Sequence, residues 1–295
     1  MKYNVECQKE LLLYLIENLK IERKKAKAML TNKSIYVNNK VITKYNYLLK
    51  NNDEIFINKN SDLKIIYEDN DILVVEKPSG LLTISTKNEK EKTLYHLVSD
   101  YVKKNNKKNR IFVIHRLDKD TSGIVMFAKN EKIKNMYQDN WNEIAKKRKY
   151  YAIVEGIIKK SGVVESYLKE DKNYNVYSTK DKNGKFAKTE YKVIKSNEKY
   201  TLLDINISTG RKNQIRVHMK DINHPIIGDK KYGNNNFNRL GLHAYELELI
   251  NPKNKKIMNF KVDLPIELKK VFKWTKKMIL KWRILSVLFI TFFLL

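Results

Sequence analysis

The chain has 295 residues, 42% of them hydrophobic, which fits a globular protein able to bury the core of one large domain or two smaller ones. Sixty basic against 33 acidic residues give a formal net charge of +27, which attracts polyanions: nucleic acid is the leading partner, with RNA, DNA and acidic membrane all compatible with charge alone. The single cysteine, Cys7, excludes an intrachain disulfide framework and a multi-cysteine metal site and fits a reducing cytoplasm.

At the N-terminus, Glu6 and Glu10 interrupt an amphipathic pattern, so no secretory signal is expected. Leu11, Leu12, Leu15, Ile16 and Leu19 recur at helical spacing. A second helix follows over 21–30, with Arg23, Lys24, Lys25 and Lys27 on its polar face. The period then changes to that of a strand: 34–42 reads as strand, Asn38-Asn39 turn and strand, and 53–57 closes the unit. Two helices with a basic face and a hairpin suggest a platform for a phosphate backbone, with Arg23, Lys24 and Lys27 as contacts. A merely solvated basic face gives the same pattern, and 52 Lys against 8 Arg is a skew that coding bias also produces.

Residues 58–64 are polar and aperiodic and read as a linker. Two strands joined by an acidic turn then run from Ile65 to the Pro78-Ser79-Gly80 stop, followed by a helix and a Lys/Asn-rich loop over 86–110. Ile111–Ile114 and Ile124–Ala128 read as buried strands around the polar run His115-Arg116-Leu117-Asp118-Lys119-Asp120-Thr121-Ser122-Gly123. Asn130 caps a helix with Ile133, Tyr137, Trp141 and Ile144 on one face, and 149–156 is the next strand. Strands and turns dominate from there to Asp263. The last twelve residues, 284–295, are almost uninterruptedly apolar and too short to span a bilayer comfortably. A membrane-dipping anchor, a helix packed on the domain and an appendage without function all remain open for them.

Loops between buried strands carry chemistry disproportionately often, although Thr121 and Ser122 could simply shape a turn. Asp118 is a carboxylate two residues after Arg116; Tyr150 opens a strand after a basic run; and 208–218 adds Arg211 and Arg216. A guanidinium beside a buried carboxylate would hold it ionised as a nucleophile or base, and an aromatic ring nearby could stack on a nucleobase. Together these would make a pocket for a flipped nucleotide.

Two resemblances follow from these residues. The first unit, with Val37-Asn38-Asn39-Lys40 where Val-Asn-Gly-Lys is usual and Ser34 for an expected Gly, resembles the S4 RNA-binding domain. Lys77-Pro78-Ser79-Gly80, His115 to Gly123, Thr209-Gly210-Arg211 through His218, and Gly228-Asp229-Lys230-Lys231-Tyr232-Gly233 resemble, in order, the motifs of the RluA-type pseudouridine synthases. The resemblance implies a mixed, mostly antiparallel sheet in two halves with outer helices and the active cleft between the halves. It makes Asp118 the catalytic carboxylate, Tyr150 the ring that stacks on the target uracil, Arg216 the cation paired with Asp118, and Arg116 the side chain that fills the flipped nucleotide's place, with Arg211 a further RNA contact. It implies no cofactor and no metal. Asn213 stands where the family has His; it can brace the loop but cannot titrate near neutrality.

A kinase is excluded by the wrong order of the His-Arg-Leu-Asp run and by the lack of a Gly-rich phosphate loop or an Asp-Phe-Gly segment. Scattered His115, Asp118, His218 and His243 do not suggest a metal hydrolase. A non-catalytic RNA-binding protein of ribosome assembly accounts equally well for the charge, but has no need of Asp118. The expectation is therefore an α+β chain with an S4-like domain over 1–60, a pseudouridine synthase domain over 65–275 and an apolar tail over 276–295. It would be a cytoplasmic monomer that modifies uridines in ribosomal RNA, large-subunit RNA first, with transfer RNA the runner-up substrate and membrane contact by the tail a lesser alternative.

Overall fold

The computed structural model describes residues 2–31, 34–57, 63–86, 93–104, 106–234 and 236–272. Most of the linker and the whole apolar tail lie outside the described residues. The chain divides into two compact units: residues 1–119 with 125–139, and residues 120–124 with 140–295.

The first unit begins with β1 (Lys2–Asn4), β2 (Lys9–Glu10), α1 (Leu11–Glu17), α2 (Arg23–Thr31), β3 (Ile35–Val37), β4 (Lys40–Val41), β5 (Leu48–Leu49) and β6 (Glu54–Ile57). A four-stranded sheet in the order β1-β6-β3-β4 and a β2-β5 pair pack with the two helices around Leu11, Leu15, Leu30, Ile35, Leu49 and Ile55. The expected hairpin is present. Asn38 and Asn39 take φ of 49° and 64°, the left-handed region that an Asn-Asn turn tolerates and a β-branched residue would not. Asp53 fixes the turn by accepting from Asn38 Nδ2 at 2.7 Å, while Asn38 Oδ1 accepts from the Glu54 amide at 2.9 Å.

The same unit continues with the antiparallel pair β7 (Lys64–Glu68) and β8 (Ile72–Lys77), then α3 (Leu94–Lys103), capped by Thr93 Oγ1 on the His96 amide at 3.3 Å. β9 is only Phe112–Val113, shorter than the expected 111–114, and pairs with the end of β10 (Ser122–Ala128). All seven residues of β10 are buried, which is why it reads as a continuous apolar run rather than an alternating one. The expected single helix over 130–144 is instead α4 (Glu131–Asp139), capped by Asn130, and a separate turn, α5 (Trp141–Ile144), in the second unit. The helix restarts because the Asn140 carbonyl accepts the amides of Glu143 and Ile144, at 2.9 and 3.0 Å, and opens a new turn.

The second unit holds β11 (Ala145–Glu155), β12 (Gly162–Glu170), β13 (Val176–Thr179), β14 (Lys185–Ser196), β15 (Tyr200–Ile207), α6 (Gln214–Asp221), β16 (Leu242–Ile250), β17 (Ile257–Lys261), and α7 (Ile266–Lys269). Its sheet runs β13-β12-β14-β15-β11-β16, with β17 added on β16, every pair antiparallel. Ser122 and Gly123 of β10 join it in parallel against His243 and Ala244, which makes the sheet mixed. The alternation along β11 sends Tyr150, Ala152 and Val154 to a cluster that includes Leu203, Ile205, Ile215 and Met219, and sends Tyr151 and Ile153 to the opposite face. Among the described residues no helix is long and apolar enough to cross a membrane.

Candidate active site

In the first unit the loop carrying Asp118 is held by a lysine. Lys77, at the end of β8, is fully buried, and its ammonium donates to the carbonyls of Leu81 at 2.7 Å, Lys119 at 2.9 Å and Pro78 at 3.0 Å. A buried ammonium has three N–H donors to satisfy, and three carbonyls converge on it here. It thereby ties the Pro78–Leu81 turn to the backbone beside Asp118, and the Gly80 amide adds a bond to the Lys119 carbonyl at 3.0 Å. On the other side of Asp118, buried Thr83 accepts from the Leu117 amide and donates to the Leu117 carbonyl, at 3.2 and 2.8 Å. His115 Nε2 accepts from the Met126 amide at 3.2 Å, so this imidazole braces the loop against β10. Asp118 is half-buried, and Arg116 is exposed. Arg23, Lys24 and Lys27 lie exposed along α2 of the same unit.

In the second unit Tyr150 sits in the middle of β11, paired with Ile205 and Ala244, rather than at a strand start. The Ser208–Gln214 loop that follows β15 is wired by Gln214: its Oε1 accepts from Thr209 Oγ1 at 2.8 Å and the Arg211 amide at 3.0 Å, and its Nε2 donates to the Lys188 carbonyl at 2.8 Å. Exposed Arg211 donates from Nε to the Phe186 carbonyl at 2.9 Å. Asn213, with φ of 54°, braces as expected of the residue in the histidine's place: Nδ2 donates to Tyr232 Oη at 3.2 Å and Oδ1 accepts from Arg216 Nη1 at 3.0 Å.

Arg216 of α6 donates from Nε and Nη2 to Asp229 at 2.8 and 2.7 Å, a two-pronged bond. Sequence reasoning assigned Arg216 one carboxylate, Asp118, and missed this one. Burial pushes the Asp229 carboxyl up, but the Arg216 guanidinium and the amides of Lys231 and Tyr232 outweigh it and hold the group below the ordinary carboxylate value. These bonds use three of the five N–H donors of Arg216 and fix its plane. The signal for Asp229 was present in Gly228-Asp229-Lys230-Lys231-Tyr232-Gly233: Gly228 has φ of 67°, and a Cβ on it would stand 2.0 Å from the Arg239 carbonyl oxygen.

Fully buried His218, two residues on, meets Thr189 Oγ1 through Nδ1 at 2.8 Å and Ser166 Oγ through Nε2 at 3.0 Å. Burial lowers its pKa, so it stays neutral and structural. Ser122 was read as shaping a turn. It is instead a strand residue whose Oγ meets His243 Nδ1 at 2.8 Å and accepts from Arg239 Nη2. Asp118 and Arg116 thus belong to the first unit, and Tyr150, Arg211 and Arg216 to the second. Among the described residues no group of three His, Cys, Asp or Glu side chains could hold a metal ion.

The family description RNA pseudouridylate synthase matches residues 71–221, just over half of the chain. A Bacillus subtilis protein named as an uncharacterised RNA pseudouridine synthase, YhcT, is 30% identical over 240 residues, 76% of this chain and 80% of its own length. The chain belongs to the RNA pseudouridylate synthase family. This synthase is also 37% identical over 206 residues to the ribosomal large subunit pseudouridine synthase D of Borreliella burgdorferi, covering 66% of this chain and 63% of that one. A protein of the same name in Buchnera aphidicola is 30% identical over 296 residues, with 94% and 91% covered. The fold of the synthase matches that of the human RNA pseudouridylate synthase domain containing 4 protein, with a TM-score of 0.58 at 23% identity over 70% of this chain and 90% of that one. The synthase is therefore an isomerase that acts on RNA.

Proposed function

We propose that this isomerase converts uridines of large-subunit ribosomal RNA to pseudouridine, with Asp118 as the catalytic carboxylate. The observation that carries the proposal is the Lys77 clamp: a fully buried ammonium holds the backbone beside a half-buried carboxylate. An RNA-binding surface without catalysis would gain nothing from fixing a negative charge, which repels phosphate. The reaction breaks the bond from C1′ to N1, turns the uracil and rejoins it through C5; a proton leaves C5 and N1 ends protonated, so no oxidant, reductant or co-substrate is needed. Asp118 acts at the sugar, Arg216 is the active-site cation, Tyr150 stacks on the uracil, and Arg116 fills the space the flipped nucleotide vacates.

The choice of ribosomal RNA is supported by the names of the Borreliella and Buchnera relatives. The N-terminal helices and hairpin act as an S4-like RNA-binding element, with exposed Arg23, Lys24 and Lys27 meeting phosphates and Arg211 adding a contact from the other unit. Pseudouridine mapping of total RNA from cells with and without this protein tests the reading. At least one large-subunit site is expected to disappear with the protein; loss confined to transfer RNA would overturn the substrate, and an unchanged map would overturn the function.

A further inference from the structure

Arg148 has no role in the chemistry proposed above, yet it is more deeply buried than most arginines. Only 9% of its surface is exposed, and its Nε is wholly enclosed with no hydrogen-bond acceptor. Among the described residues the guanidinium donates from Nη2 to the Ser208 carbonyl and pairs with no carboxylate. Burial lowers its pKa, the Tyr150 phenol acts the other way, and the neighbouring Arg211 cation lowers it further. Arginine stays protonated in proteins, so a full positive charge sits in a cramped, incompletely bonded site next to another cation. Such an arrangement is costly unless an anion completes it.

The approach to the guanidinium from Nη1 carries no side chain. Gly210 faces the guanidinium, and even a Cβ there would stand 3.2 Å from Arg148 Nη1. Gly210 and Arg211 also line a neighbouring cavity of about 350 Å³ that Arg148 itself does not line, with Lys185, Lys212 and the carboxylate of Glu170, which pairs with Lys212, among its other walls. Arg148 lies two residues before Tyr150 on β11, so the two side chains project from the same face with Cα atoms about 7 Å apart. Adjacent side chains at that spacing can hold a base and the backbone that carries it.

We propose that Arg148, with Arg211 and the glycine gap at 210, is a phosphate-binding subsite that takes an RNA phosphodiester next to the nucleotide stacked on Tyr150. The proposal rests on the reading of Tyr150 above. The planar guanidinium offers two parallel N–H groups to two phosphate oxygens, a geometry lysine cannot reproduce.

The full-length protein is melted in increasing inorganic phosphate at ionic strength held constant with potassium chloride, alongside Arg148→Gln and Arg148→Lys. Phosphate is expected to raise the wild-type midpoint, to leave Arg148→Gln unmoved, and to act on Arg148→Lys only at about tenfold higher concentration or more. If Arg148→Gln does not fold, the comparison with Arg148→Lys decides alone. In parallel, the salt dependence of binding to a single-stranded oligouridylate is expected to lose about 0.7 from its log–log slope in the variant, one phosphate contact fewer. Equal phosphate responses in wild type and variants would overturn the site. A phosphate response with an unchanged RNA slope would overturn its assignment to the RNA backbone. Neither readout requires turnover, so absence of pseudouridine formation would count against the proposed function and not against this subsite.

Discussion

Asp229 and His218 show how single residues set the shape of the site in the second unit. Asp229 is nearly inaccessible and fully committed to Arg216 and two backbone amides. Asp229→Asn keeps the volume but leaves the guanidinium without its counter-charge, and urea denaturation is expected to show a loss of about 3–5 kcal/mol. A loss under about 1 kcal/mol, the range of a surface pair, would contradict the role given to it. His218 titrates in the opposite chemical sense but with the same dependence on pH. Its folded pKa lies below the ordinary 6.5, so the unfolded chain binds the proton first as pH falls, and the contribution, intact above 6.5, is lost between that value and the lower folded one. Wild type should therefore lose more stability than His218→Gln as pH is lowered from 7 through this window; identical slopes would contradict a buried neutral imidazole. At this scale the sequence was legible where a motif named a residue, as for Asp118, and silent where the role depends on a distant partner. Arg148 looked like one more base in the run Lys146 to Lys149, because burial alternates along a strand and charge count does not.

Among the elements, β10 and the loop before it carry most of the constraint. Gly123 has φ of 123°, and a Cβ there would stand 2.1 Å from the Ala244 carbonyl oxygen, so the parallel contact with β16 requires glycine. Gly123→Ala is expected to cost about 2–5 kcal/mol from backbone strain and crowding together, measured by denaturation. A cost near zero would mean that the close approach of the two strands is not maintained in solution. Elements with local signals were read well. The Asn38-Asn39 hairpin, the Asn130 cap and the apolar run of β10 each depend on residues within a few positions. The helix over 130–144 was read as continuous because its apolar spacing carries through the break; the restart at Asn140 is a matter of which carbonyl the amides choose, and periodicity does not report that. Pairing of Ser122 and Gly123 with His243 and Ala244 joins residues about 120 positions apart, and no local pattern encodes it.

For the whole molecule, charge and motif order give different kinds of information. A net charge of +27 favours RNA without saying what happens to it, while the ordered motifs and the family match over 71–221 define an isomerase. The two units divide the proposed residues between them, Asp118 and Arg116 in one and Tyr150, Arg211 and Arg216 in the other. The central claim is that the clamped carboxylate does chemistry rather than binding, and the most direct test compares purified wild type with Asp118→Asn on large-subunit ribosomal RNA. The account predicts RNA affinity within about threefold of wild type and no pseudouridine formed. Pseudouridine formation by Asp118→Asn at the wild-type rate would contradict it.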